Sequence, residues 1–278
     1  MNKLKGPNQI EAFRQVAERL VFRISACEGV CGILYHGGLV RGFADRFSDL
    51  DITVFLDRDD KELQRVIRGI ELEEEKCSGL ETDLMIHDLE GSQKKRWDEI
   101  KRREFSKAKI VFDPEGQIEE LLNEKLSVSR DFWVSRIATL TAYLKWYYCP
   151  SEEGVATITE AWVDRGDLIS AHHCVSYGLE VIFEMVFALN REFFPSVKWR
   201  LFDSYGLRWL PDDYRHLVQE IMLVSSFSKG DLDHRLNAVR QLWNGVLPKV
   251  EEETRMNLKE LDAYYVRNIL HQNVSSSD

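Results

Sequence analysis

Two aspartates, Asp49 and Asp51, flank the first residue of the apolar run LDITVFL, with ten residues separating Gly38 from Asp49 in the pattern Gly37-Gly38 … Asp-Leu-Asp. Alternate side chains of a strand share a face, so both carboxylates point one way with Thr53, while Leu50, Ile52, Val54 and Leu56 point the other. A third acid, Asp83, lies in the later run ETDLMIHD. It shares its face with Glu81, Met85 and His87. Neighbouring strands would bring the three carboxylates within a few ångströms of one another. Such a cluster raises its members' pKa values and opposes folding unless a cation neutralises it. Magnesium suits the chemistry, being a hard ion held by one or two carboxylates, water and substrate phosphates. A pair of such ions clamps the attacking and leaving oxygens of a phosphoryl displacement. Without side chains at Gly37 and Gly38, backbone N–H groups can approach a triphosphate closely. Arg41 follows within reach of a phosphate, although an exposed salt bridge accounts for it equally well. The blander reading of Asp49 and Asp51 is a pair of solvent-facing acids at a strand end.

The elements that must hold these residues can be read from periodicity. Ile10, Phe13, Val16, Ala17, Leu20 and Ile24 recur at helical spacing over residues 8–26. Strands are expected at 31–36, 50–56, 81–88 and 108–113, with helical patterns at 59–76 and 90–107. Past the turn Asp113-Pro114-Glu115-Gly116 the pattern is wholly helical, in segments 117–148, 167–191, 212–227, 231–247 and 254–271. The expected fold class is α+β. A small mixed sheet domain over residues 1–116 precedes an all-α helical bundle over residues 117–278.

Bulk properties narrow the function. The chain has 278 residues and a net charge of −10, split as −5 over residues 1–125 and −5 over 126–278. An acidic surface of this kind argues against nucleic-acid binding, which needs a positive footprint. The basic run KKRWDEIKRR is interrupted by Asp98 and Glu99 and reads as a solvated helix face. No stretch approaches the length of a membrane span and the N-terminus has no apolar signal core, so a soluble cytoplasmic protein, monomer or homodimer, is expected. Five cysteines at irregular spacing (Cys27, Cys31, Cys77, Cys149 and Cys174) read as reduced thiols.

The stretch HGGLVRGFADRFSDLDI followed by TDLMI resembles the active-site signature of the polymerase-β-like nucleotidyltransferase superfamily. KIVFDPEGQIEELL resembles the segment closing that domain in the small-molecule branch, and residues 165–199 resemble the helical domain of its antibiotic-modifying and uncharacterised members. Many members have Ser where this chain has Gly38. The resemblance implies a Mg²⁺-dependent enzyme, with two ions on Asp49, Asp51 and Asp83. It would transfer a nucleoside monophosphate, AMP from ATP or another triphosphate, to a hydroxyl of a small molecule such as an aminoglycoside or lincosamide. Gly37, Gly38, Arg41 and Lys198 are the implied nucleotide contacts. Asp167 and His172 are the acceptor-side candidates, although Asp167 also suits a helix cap. Glu180 and Glu184, one turn apart, either face the cleft or form a solvated face. Two alternatives accompany this reading: adenylylation of a protein hydroxyl, as in toxin–antitoxin systems, and a non-catalytic nucleotide sensor.

Overall fold

A computed structural model describes residues 4–145 and 156–270. Among them, those up to Val128 form one compact unit and those from Ser129 onward a second. The first unit is built on a four-stranded mixed sheet of order β3-β2-β1-β4, with β1 Val30–Tyr35, β2 Leu50–Leu56, β3 Thr82–Asp88 and β4 Lys109–Phe112. β1 runs antiparallel to β2 and β4, whereas β2 and β3 are parallel. A helix, α3 (Lys61–Ser78), joins the parallel pair, as a parallel connection requires a long crossover.

The two faces of the sheet bury different cores. On one face, Ile33, Ile52, Val54, Leu56 and Leu84 pack with Phe13, Val16, Leu20 and Ile24 of α1 (Ile10–Ser25) and Ile67 of α3. On the other, Leu34 and Phe55 pack with Trp97, Phe105, Ile118, Leu121 and Leu122. The second core comes from three further elements, α4 (Leu89–Lys94), α5 (Glu99–Ser106) and α6 (Gln117–Leu126); the glycine turn makes α2 (Gly37–Arg41). The face expected to carry the acids is therefore covered along much of its length. Thr53, which points the same way as the acids, is fully buried.

Two expectations change in this unit. The helical pattern over 90–107 is broken at residues 95–98, because Asp98 caps α5 by accepting from the Lys101 N–H (2.7 Å) and the break turns Trp97 into the core. The boundary placed at residue 116 moves to 128, because α6 docks on β1. A Cβ at Gly32 would lie 2.1 Å from Ile118 Cγ1, so the helix sits where only a glycine strand position leaves room.

The second unit is all-helical among its described residues: α7 (Arg130–Tyr143), α8 (Ile158–Asp164), α9 (Leu168–Leu189), α10 (Arg200–Ser204), α11 (Tyr214–Met222), α12 (Lys229–Thr254) and α13 (Leu258–Tyr265), which passes into a π-helical turn Val266–Leu270. The apolar α9 packs against α7, α8, α10, α11 and α12. α12 runs through Pro248, where the sequence suggested an end, since Val246 and Val250 continue its buried stripe. None of these helices, nor any other described one, is long and apolar enough to cross a membrane. Cys27, Cys31, Cys77 and Cys174 are free thiols; Cys149 lies outside the described residues.

Candidate active site

The parallel pairing of β2 and β3 builds the site. Its register makes Asp51 and Asp83 partners, so their side chains leave the same face of the sheet side by side. Asp49 stands one residue before β2 begins. One carboxylate oxygen from each of Asp49, Asp51 and Asp83 lies within 4.8 Å of the others. Asp49 and Asp51 are half-buried and Asp83 is exposed. Among the described residues no basic side chain pairs with Asp49 or Asp83.

Backbone hydrogen bonds hold the segments of Asp51 and Asp83. The His36 N–H donates to the Asp51 carbonyl (3.0 Å), tying the glycine turn to β2. β3 is an edge strand, and the N–H groups that flank Asp83 point away from β2. Glu75 accepts from the Thr82 N–H (2.9 Å) and hydroxyl (2.7 Å), and Glu71 accepts from the Leu84 N–H (3.2 Å). These α3 carboxylates satisfy the edge and fix the position of Asp83; sequence reading passed over both. Their signal was acids one turn apart near the end of a helix that enters a strand.

The glycines have separate causes. Gly37 adopts φ +47°, and a Cβ there would fall 1.7 Å from Asp51 Oδ2, so the carboxylate rests directly against that backbone. A Cβ at Gly38 would meet the Phe43 carbonyl oxygen at 2.8 Å. The loop that follows therefore leaves no room for a side chain at residue 38 without a shift of backbone. Arg41 is exposed at the end of α2.

Beneath the acids lies a set of buried aromatic rings. His36 is 4% exposed, and neither ring nitrogen makes a hydrogen bond of good geometry, the Glu104 backbone offering only a weak one. Burial pushes its pKa down to about 4, His87 adds to this, and the Glu104 backbone opposes it. His87 is likewise lowered to about 4, by burial first and then by Lys101 and Lys95. The Phe105 ring packs edge-on against His36 at 5.1 Å and also contacts His87 and Phe55. Both histidines therefore pack as rings against Phe105, and burial disfavours their charged forms. Glu104, beside Phe105, is a fourth acid that sequence reading missed. It is exposed as a residue, yet burial of its carboxyl raises its pKa, with Asp83 and Asp98 adding and Lys101 opposing.

The remaining candidates belong to the second unit. Asp167 caps α9, with Oδ1 accepting from the Ser170 N–H (3.1 Å) and Oδ2 from its hydroxyl (2.6 Å). His172 is 2% exposed. Its Nδ1 accepts from Arg235 Nη1 (2.9 Å), which leaves Nε2 to donate to the Ser228 carbonyl (3.2 Å). Its ring has no polar atom left for a ligand. Glu180 and Glu184 are taken by Arg200 (3.0 Å) and Arg136 (2.5 Å). Lys198 is exposed in the turn before α10.

Residues 14–111 match the family profile of the nucleotidyltransferase domain, from α1 to the last strand. That segment, with the acids gathered inside it, makes the enzyme class a nucleotidyltransferase. No curated protein matches the chain. Among solved structures, a nucleotidyltransferase-like protein from Exiguobacterium sibiricum 255-15 is 12% identical with a TM-score of 0.44, over 86% of this chain and 77% of that one. A toxin–antitoxin structure with AMP-PNP is 15% identical with a TM-score of 0.33, over 47% of this chain and 97% of that one. These likenesses are too loose to carry an argument, and the class rests on the matched segment.

Proposed function

We propose that the protein transfers a nucleoside monophosphate, AMP from ATP, to a hydroxyl of a small molecule such as an aminoglycoside or lincosamide antibiotic. The observation that carries the reading is the convergence of Asp49, Asp51 and Asp83 within 4.8 Å, with Gly37 against the Asp51 carboxylate. Three oxygen donors that lack basic partners at Asp49 and Asp83 fit Mg²⁺ ions better than softer metals. Asp49 and Asp51 would hold the ion bound to the triphosphate, and Asp83 would share with them a second one. Bound there, the ions supply charge neutralisation for the triphosphate and the developing oxyanion.

The chain's own groups provide the rest. The backbone at Gly37 and Gly38, clear of side chains, is where phosphates approach. The acceptor oxygen forms a bond to the α-phosphorus, the bond to the β-phosphate oxygen breaks, and pyrophosphate leaves. Asp83, the exposed member, takes the hydroxyl proton. Most of the rate then comes from positioning and preorganised charge. A net charge of −10 favours a neutral or cationic acceptor over an anionic one. The helical unit is proposed to select it.

The test is a pyrophosphate-release screen over antibiotics, sugars and protein extracts, with Mg²⁺ and each triphosphate. Release with a small molecule and none with Asp49→Asn/Asp51→Asn supports the reading. Undiminished release by that folded double variant refutes the site, and release with a protein alone refutes the acceptor class.

A further inference from the structure

Phe47 stands out in the loop between α2 and β2. The residue is 80% exposed, although aromatic rings gain most from burial. The loop that presents it is well tied. The Phe47 N–H donates to Asp45 Oδ1 (2.9 Å), and the Asp45 N–H to the Ser48 hydroxyl (3.0 Å). The Ser48 N–H donates to the Asp45 carbonyl (3.0 Å). Upstream, Asn8 Oδ1 accepts from the Ala44 N–H (3.1 Å), and the Ala44 carbonyl accepts from Gln9 (2.7 Å), which anchors the loop to the start of α1. The Arg46 guanidinium lies over the ring, 4.4 Å from its centroid. One face of Phe47 is thereby covered by a cation and the ring is steadied, while the exposure places the other face in solvent.

Position gives this arrangement a purpose. Phe47 precedes Asp49 by two residues, so their Cα atoms are at most roughly 7 Å apart. A triphosphate bound over Asp49, Asp51 and the glycine turn must carry its ribose and base beyond the phosphates, on the scale of that separation. Every nucleobase offers a π-face, and stacking on an exposed aromatic ring is favourable whatever the base. Arg46 adds a positive charge to the same loop in an otherwise acidic protein.

We infer that Phe47, backed by Arg46, is the stacking platform for the base of the nucleoside triphosphate. This rests on the proposed triphosphate site and deepens it. Because the contact reads a π-surface and not a hydrogen-bond pattern, the site accepts all four bases, purines more tightly than pyrimidines.

Calorimetry in Mg²⁺ tests the platform, using non-hydrolysable analogues of ATP, GTP, CTP and UTP and, separately, inorganic tripolyphosphate. Wild type is expected to bind all five. Phe47→Ala should weaken the nucleotides by about ten- to a hundredfold and leave tripolyphosphate unchanged. Phe47→Trp should bind nucleotides at least as well as wild type. The ring is exposed, so neither change should alter thermal stability. Nucleotide affinity that survives Phe47→Ala, with tripolyphosphate still bound, overturns the platform and spares the phosphate site. Equal loss of tripolyphosphate in Phe47→Ala overturns it too, since a phosphate contact would then be the cause. A wild type that binds neither nucleotide nor tripolyphosphate overturns the triphosphate site, and the platform with it.

Discussion

Two clusters of polar groups in this molecule have opposite internal accounts. At Arg235 and His172 everything is satisfied. The guanidinium, 2% exposed, donates to the Ile221 and His172 carbonyls, His172 Nδ1 and the Ser176 hydroxyl, and His172 spends its other nitrogen on Ser228. At Asp49, Asp51 and Asp83 three like charges are gathered, and two of them have no cationic partner among the described residues. The first cluster stabilises its fold and leaves nothing for a ligand. The second gathers like charges that repel one another, and the proposed function assigns their neutralisation to a bound cation.

Mutation should separate the two. The largest effect is expected for Asp49→Asn/Asp51→Asn: nucleotidyl transfer drops on the order of a thousandfold, while the metal-free melting temperature holds or rises, because repulsion is relieved. A fall in melting temperature would place this cluster with the structural kind. Arg235→Ala should do the converse. It strands His172 Nδ1 and the Ile221 carbonyl, leaves the Ser176 hydroxyl only its bond to the His172 carbonyl, and opens a cavity, costing about 3–5 kcal/mol in urea unfolding. Mg²⁺-dependent nucleotide affinity, read by calorimetry below the melting temperature, should be unchanged.

His36 sits between these cases, buried between β1 and α2 with only the Glu104 backbone as a weak partner. Its folded pKa of about 4 lies below the ordinary 6.5, so between those values the unfolded chain binds a proton that the folded chain refuses. Stability is therefore complete above pH 6.5 and is lost as pH falls toward 4, by roughly 3 kcal/mol. His87 is shifted alike, so unfolding curves from pH 7 to 4.5 should show the slope of both histidines, and His36→Leu should reduce it by the share of His36 and leave that of His87. Gly38→Ser asks whether the missing hydroxyl matters. Its Cβ would press on the Phe43 carbonyl, so a loss of about 2 kcal/mol in stability with no gain in nucleotide affinity is expected. Smallest is Asp167→Ala, which removes a helix cap and should cost about 1 kcal/mol with turnover intact. A large loss of turnover there would restore Asp167 to the acceptor side.

Much of the N-terminal unit was legible because its signals are local. Alternation in LDITVFL and TDLMIHD fixed which side chains share a face, and the glycine pair ahead of Asp-Leu-Asp pointed to phosphate chemistry. Locality failed wherever a residue's partner is distant in the chain. His172 reads in sequence as a polar residue on an apolar helix; that Arg235 consumes it depends on how α9 meets α12. Glu71 and Glu75 look like ordinary surface acids until β3 proves to be the edge strand that needs them. α6 looked like the start of the helical half until Ile118 was found over Gly32.

Sequence by itself determined the periodicities, the order of acids after glycines, and the acidic charge, because each follows from neighbours along the chain. Only the tertiary structure decided that Asp51 and Asp83 share a register, that no hydroxyl fits at residue 38, and which polar groups are spent on their own fold. Those facts are set by strand pairing and side-chain volume, which act between segments far apart in sequence.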